Sequence, residues 1–333
     1  MYHRYKVNKK NRKFVKIIVF FLIVSSVGFF GYRYRQYLLF WRYTNNKLII
    51  KLERASKIED VNKRKESLLE VIKAFEHYKD GNQVDPEAFF LTGKTYYLLA
   101  ETYLPSTFTQ IIIRGRLNDV GDIQNKFFLK AIKNIKKGRA LQKTDKLEGY
   151  YSIILAKSCF YSSYYGYKNI NRIISGIEEP SILNEIEDKR FYAMVHILNG
   201  NIDYGLRFLN EHGVVNESIQ GRLFLATSYK IAKKYTNSIM KYKEISNRTS
   251  DKDILKLVYL NLGKIYYLQS LYKESLEHFN YALKIDEKDN LLRIWIGKNY
   301  SAMGQKDKAK SIWTEVLTSD RSNVEVKKLL GVM

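Results

Sequence analysis

Lys264 and Lys298 lie 34 residues apart, and each is followed three residues later by a hydroxyl-bearing side chain, Tyr267 and Ser301. Ammonium groups repeated at such an interval bind anions; by themselves they break no bond. The patterns that would break one are missing. The five histidines (His3, His77, His196, His212 and His278) are scattered and form no His-x-x-x-His pair. The sequence has no Gly-x-x-x-x-Gly-Lys-Ser/Thr loop, no Gly-x-Gly-x-x-Gly turn and no Gly-x-Ser-x-Gly elbow. Glu178 and Glu179 adjoin Pro180 in a stretch that reads as solvated turn, without a cleft to shift their titration. Cys159 is the single cysteine and has no neighbouring His or Cys to activate a thiolate. The expected chemistry is therefore binding, with no enzymatic activity, cofactor, metal or small-molecule substrate.

The elements that would position these lysines are helices. Hydrophobic residues make up 45% of the 333, enough to bury a large apolar surface. The three prolines, Pro86, Pro105 and Pro180, all sit at expected helix edges, so long stretches are free of helix-breaking residues. Net charge is +23, but it is concentrated at the front: residues 1–58 hold fourteen Lys and Arg against Glu53 alone. A nucleic-acid binder would spread such charge along a folded face, so nucleic acid is not an expected partner.

Beside that basic cluster, residues 17–32 carry no charge, and the segment rises about 24 Å as a helix. Tyr32, Tyr34, Tyr37 and Trp41 follow it with Arg33 and Arg35 between them, the composition of an interfacial belt. A cleaved signal peptide ending near Val24-Ser25-Ser26 and a buried core helix are the competing readings. The apolar run continues past Ser26, which favours a single transmembrane anchor. Seven cations and no acid precede it, so the short tail is expected in the cytoplasm and the rest beyond the inner membrane, in the periplasm. The organisation expected is a basic tail (1–16), an anchor (17–32), a juxtamembrane segment (33–47), irregular helical repeats (48–218), clear repeats (219–323) and a C-terminal cap (324–333).

The clear repeats run in phase. With Lys256 as position 1, Tyr259, Leu262, Gly263, Tyr266, Ser275, Phe279 and Ala282 fall at positions 4, 7, 8, 11, 20, 24 and 27. The next unit, from Asn290, places Ile296, Gly297, Tyr300, Gly304, Ala309, Trp313 and Val316 at 7, 8, 11, 15, 20, 24 and 27. A unit from Ile219 repeats the pattern with Leu225, Ala226, Tyr229, Ser238, Tyr242 and Ile245. A weaker one from Ile186 has Tyr192, Ala193, Gly200, Gly205 and Leu209. This resembles the tetratricopeptide repeat, a 34-residue helix–turn–helix unit. Small residues at positions 8 and 20 let the two helices cross, and large apolar residues at 7, 11 and 24 fill the gap. Further forward, Phe89, Gly93 and Tyr96 imitate positions 4, 8 and 11 of a unit opening at Pro86, and Ser67, Val71 and Ala74 look like a preceding second helix. Residues 105–122 depart from the pattern and read as a loop insertion in which Gln110–Ile113 could pair as a short strand. The fold expected is all-α: one N-terminal transmembrane helix followed by an α-solenoid of tetratricopeptide-like helix pairs.

The resemblance implies where binding occurs. In this family positions 2, 5, 9 and 12 of each first helix line the concave groove. Here those are Leu257, Leu260, Lys264 and Tyr267; then Leu291, Ile294, Lys298 and Ser301; and in the unit before, Gln220, Leu223, Thr227 and Lys230. Phe90, Lys94 and Tyr97 take equivalent slots further forward. Such a basic, tyrosine-studded groove suits an acidic segment or helix of a protein partner. Asn261 and Asn299 fall at positions 6 and 10 rather than 9, so the asparagine pattern of chaperone-tail binders is absent. The layout is similar to membrane-anchored envelope scaffolds and to collar proteins of periplasmic flagellar motors; an accessory subunit of an envelope biogenesis enzyme is the alternative.

Overall fold

The computed structural model describes residues 45–115, 120–142, 149–164, 166–177, 183–212, 214 and 218–332, and in them the regular structure is entirely helical. The chain divides into two compact units, one made of residues 1–103 and 126–145, the other of 104–125 and 146–333.

In the first unit, α1 (Asn45–Ser56) and α2 (Val61–Gly81) precede α3 (Pro86–Thr102). Asp60 and Asp85 cap α2 and α3 by accepting backbone N–H groups of Lys63 and Glu87, and Pro86 takes the first helical position, where its missing N–H is harmless. The partner of α3 is α5 (Asp122–Gln142), reached only after an intervening helix, α4 (Phe108–Arg114). Two glycines make the α3–α5 crossing. A Cβ on Gly93 would lie 2.6 Å from Ile135 Cγ1, and one on Gly138 would lie 2.9 Å from the Pro86 carbonyl. Buried Lys79 of α2 pairs with Glu76 at 2.9 Å and donates to Asn134 Oδ1 of α5 at 2.7 Å.

The second unit takes in α4, then α6 (Gly149–Tyr161), α7 (Tyr167–Ile174), α8 (Ile186–Leu198), α9 (Ile202–Glu211), α10 (Ile219–Ile231) and α11 (Tyr235–Ser246). It ends with α12 (Lys252–Leu268), α13 (Tyr272–Ile285), α14 (Asn290–Ala302), α15 (Lys306–Ser319) and α16 (Val324–Leu330). The stretch around Gln110–Ile113 is helix, not strand. Thr107 Oγ accepts the Gln110 N–H and Gln110 Oε1 accepts the Thr107 N–H, a capping box whose effect outweighs the strand preference of three isoleucines. Phe108 then sits among Phe160, Phe191 and Phe224, with ring centroids 5.5, 5.2 and 6.3 Å away. Beside it Thr109 donates its N–H and its hydroxyl to Glu187, and buried Arg190 donates to Thr109 Oγ1 and to the Val214 carbonyl.

The helix pairs turn in a shared way. At Ser163, Gly200, Lys233, Ser270 and Gly304 the backbone is left-handed. The residue after each donates its N–H five residues back, to the carbonyls of Cys159, His196, Tyr229, Tyr266 and Tyr300, at 2.9–3.1 Å. This closes each first helix and points the second back along it. At the crossing, Ser238 Oγ donates to the Ala226 carbonyl (2.7 Å) and Ser275 Oγ to the Gly263 carbonyl (2.8 Å). Tyr242, Phe279 and Trp313 fill the space alongside, all buried. A Cβ on Gly263 would meet the Phe279 ring at 2.8 Å, and one on Gly297 would run into Trp313.

The expected transmembrane anchor is corrected. No helix among the described residues is long and apolar enough to cross a membrane, and residues 17–32 lie outside the described residues. The most apolar helix with a buried face all round, α6, has 13 residues and rises about 20 Å, against a hydrocarbon core of about 30 Å. The single-pass inner-membrane placement with periplasmic repeats is therefore withdrawn, and the envelope and motor-collar readings that depend on it lose their footing.

Two substitutions test this packing with opposite signs. Gly205→Ala puts a methyl 2.7 Å from the Ala193 carbonyl, a backbone atom that cannot step aside, and should cost about 1–3 kcal/mol of unfolding free energy in denaturant titrations. Ser270→Gly relieves a left-handed serine at φ 61° and should gain about 0.5–1 kcal/mol in the same measurement.

Candidate functional site

The first helices α10, α12 and α14 carry three lysines in a row, Lys230, Lys264 and Lys298, each half-buried. The last two share Trp295. Its ring has Lys264 Nζ 5.4 Å from the centroid and Lys298 Nζ at 4.5 Å, both within cation–π range. Phe279 stacks on the same ring at 5.7 Å and Tyr267 meets it edge-on at 5.4 Å, so the tryptophan is fixed on two sides by aromatic contacts. Lys298 continues to Glu325 of α16, 2.6 Å away.

The electrostatics follow from this crowding. Burial pushes the Lys264 ammonium below the ordinary lysine range, and neighbouring Lys298 pushes it further, against smaller opposing pulls from Glu325 and Asp289. Lys230 is displaced more, to about 7, by burial first and then by Lys264. Its Nζ donates to Asn261 Oδ1 on α12, an uncharged acceptor. The three lysines lie close together, with Glu325 and Asp289 as the carboxylates that act on Lys264.

The residues expected in the groove have separate fates. Lys264, Tyr267 and Lys298 converge on Trp295. Leu257 and Leu260 are half-buried on α12, and Leu260 leans on the Phe279–Leu292–Ile296 cluster. Ile294 is 3% exposed and belongs to the core with Ala309, Trp313, Val316 and Val326, so it offers no surface. Lys94 and Tyr97 belong to the first unit. There Tyr97 is buried, its hydroxyl donating to Glu101 Oε1 at 2.6 Å, and burial holds half-buried Lys94 below the ordinary lysine range despite the pull of Glu53. Trp295 and Glu325 were not among the expected groove residues. The signal for Trp295 was available: it precedes Lys298 by three residues on one helix, the spacing that puts two side chains on one face.

Three of the histidines are used as flat rings. His196 packs against Tyr192 and Tyr204 at 4.7 Å each, His212 on Phe208 at 4.1 Å, and His278 lies parallel to Tyr266 at 5.1 Å. Cys159 is fully buried in α6. Among the described residues no three His, Cys, Asp or Glu come close enough to hold a metal ion.

No protein-family model matches the sequence, and no curated protein is significantly similar to it. Solved structures of similar fold include the following two. One is a tetratricopeptide repeat protein from Parabacteroides merdae, 15% identical, covering 86% of this chain and 97% of its own, with a TM-score of 0.47. The other is the C-terminal part of a TPR repeat-containing protein from Cytophaga hutchinsonii, 10% identical, covering 85% and 98%, also with a TM-score of 0.47. Neither likeness transfers a partner.

Lys230 gives the face a stability signature. Its proton is held less tightly in the folded chain than in the unfolded one, where it titrates near 10.5. The burial penalty is therefore full below about pH 7 and is relieved as pH rises from 7 towards 10.5. Relative to wild type, Lys230→Met should melt higher near pH 6 than it does near pH 9 (both chosen as roughly one to two units either side of that value). A difference in Tm that ignores pH would mean that Lys230 keeps its proton throughout.

Proposed function

We propose that this chain is a protein-binding scaffold and that the face of α10, α12 and α14 receives an acidic segment of its partner. The observation that carries the reading is Trp295 shared by Lys264 and Lys298, with each ammonium within 5.4 Å of its ring centroid. A carboxylate reaching either lysine would find a cation already partly stripped of water, and an apolar side chain beside it would find the indole and the half-exposed Tyr267 ring. Burying an ammonium among other ammonium groups is unfavourable for the free chain, and such an arrangement is relieved when an anion arrives. Binding rather than catalysis fits the rest of the molecule, where His196, His212, His278 and Cys159 are occupied in packing.

The test is charge reversal on the row. In Lys264→Glu combined with Lys298→Glu, a fluorescently labelled acidic peptide should bind at least roughly tenfold more weakly, by anisotropy, than to the wild-type chain. Unchanged affinity, with helical content retained by circular dichroism, would rule this face out as the docking site.

A further inference from the structure

Lys230 stands apart from the other two cations of the row. Lys298 has Glu325 at 2.6 Å, and Lys264 feels Glu325 and Asp289. Among the described residues Lys230 is hydrogen-bonded to the amide oxygen of Asn261 alone, and Asn261 is itself buried and tied by its Nδ2 to the Leu257 carbonyl at 2.9 Å. Among the described residues no carboxylate of the elements packed against α10 pairs with it, and the charged residue of α4 is exposed Arg114. From α8, Glu187 is engaged with Arg190 and Thr109, and Asp188 with Lys157. From α9, Asp203 reaches towards Lys234 and Glu211 is exposed. From α11, Glu244 is shared by Arg222, Lys241 and Arg248. On α12, Asp253 is exposed at the helix start, and the charge that acts on Lys230 is the Lys264 ammonium.

A half-buried, partly desolvated amine facing another ammonium, with a neutral amide as its partner, gives up its proton readily. A carboxylate set beside it reverses the balance, because the pair then favours the charged form. We propose that docking of an acidic segment on the α10–α12–α14 face is coupled to proton uptake by Lys230, so that the scaffold holds its partner more tightly as pH falls. This rests on the docking reading above and adds to it a third contact and a regulator. The segment required is one with acidic side chains spread over three consecutive first helices, two for Lys264 and Lys298 and one for Lys230. The free chain's Lys230 changes charge near pH 7, where a modest change in pH shifts its occupancy most.

The experiment uses the full chain and an acetylated, amidated polyglutamate peptide of roughly ten residues, whose carboxylates stay ionised well above their usual value of about 4.3. Calorimetry is run at about pH 6 and about pH 8.5, in buffers of different ionisation heat. The expected result is a dissociation constant roughly tenfold larger at the higher pH, with net proton uptake there. Lys230→Arg, which stays charged, should keep the low-pH affinity at both values, and Lys230→Met should bind weakly and equally at both. Equal wild-type affinity at the two pH values without proton uptake would overturn the coupling and leave the docking face standing. So would a Lys230→Met chain that retains the wild-type pH dependence. Absence of binding across the range would overturn the docking face, and the coupling with it.

Discussion

Two helix backbones have to approach closely enough for a serine hydroxyl on one to reach a carbonyl on the other. The contacts from Ser238 to the Ala226 carbonyl and from Ser275 to the Gly263 carbonyl are that approach. A larger residue at either site would push the pair apart and leave Tyr242 or Phe279 without its pocket. The consequence reaches the surface. With the crossing fixed, each first helix presents the same stripe outward, and Lys264 and Lys298 come to flank one indole ring. In a stacked array, stability is close to a sum over units and their neighbour contacts. The cationic face therefore depends on a crossing whose closest contacts are made by uncharged residues.

Much of this was legible in the sequence, for a physical reason. Gly263, Ser275 and Phe279 have residue types that only a close crossing demands, and they recur as Gly297, Ala309 and Trp313. The turn residue was harder to read. Gly200 and Gly304 announce a left-handed position, but Lys233 and Ser270 occupy the same place with side chains that disguise it. The helix over Phe108–Arg114 was misread because three isoleucines favour strands, and the deciding contact is a cap made by Thr107 and Gln110 outside that run. The second helix of the unit that opens at Pro86 was invisible to a fixed 34-residue ruler, since Ile135 and Gly138 come far later than the period predicts.

The face itself was half legible. Spacing alone put Lys264 and Lys298 side by side, and the structure brings Tyr267 to the indole ring that both lysines reach. Spacing also placed Ile294 on the open surface, whereas it is turned into the core against Trp313 and Val326. The exchange of Ile294 for Trp295 matters, because an indole within reach of two ammonium groups recognises differently from an aliphatic side chain. No sequence pattern conveys how far Lys230 is shifted, since that depends on its burial and on the Lys264 ammonium in the next unit.

The late arrival of α5 has a consequence for how the protein comes into being. Residues 104–125 belong to the second unit, yet they lie between α3 and the helix that completes the first. During synthesis α3 emerges with its glycine groove at Gly93 open, and it stays open until α5 has been made. No single cut in the chain separates the two units, so neither can be expressed as a continuous fragment without borrowing from the other. A chain interleaved in this way cannot be shortened by one unit with a single truncation, unlike arrays that grow or shrink by one repeat at a time.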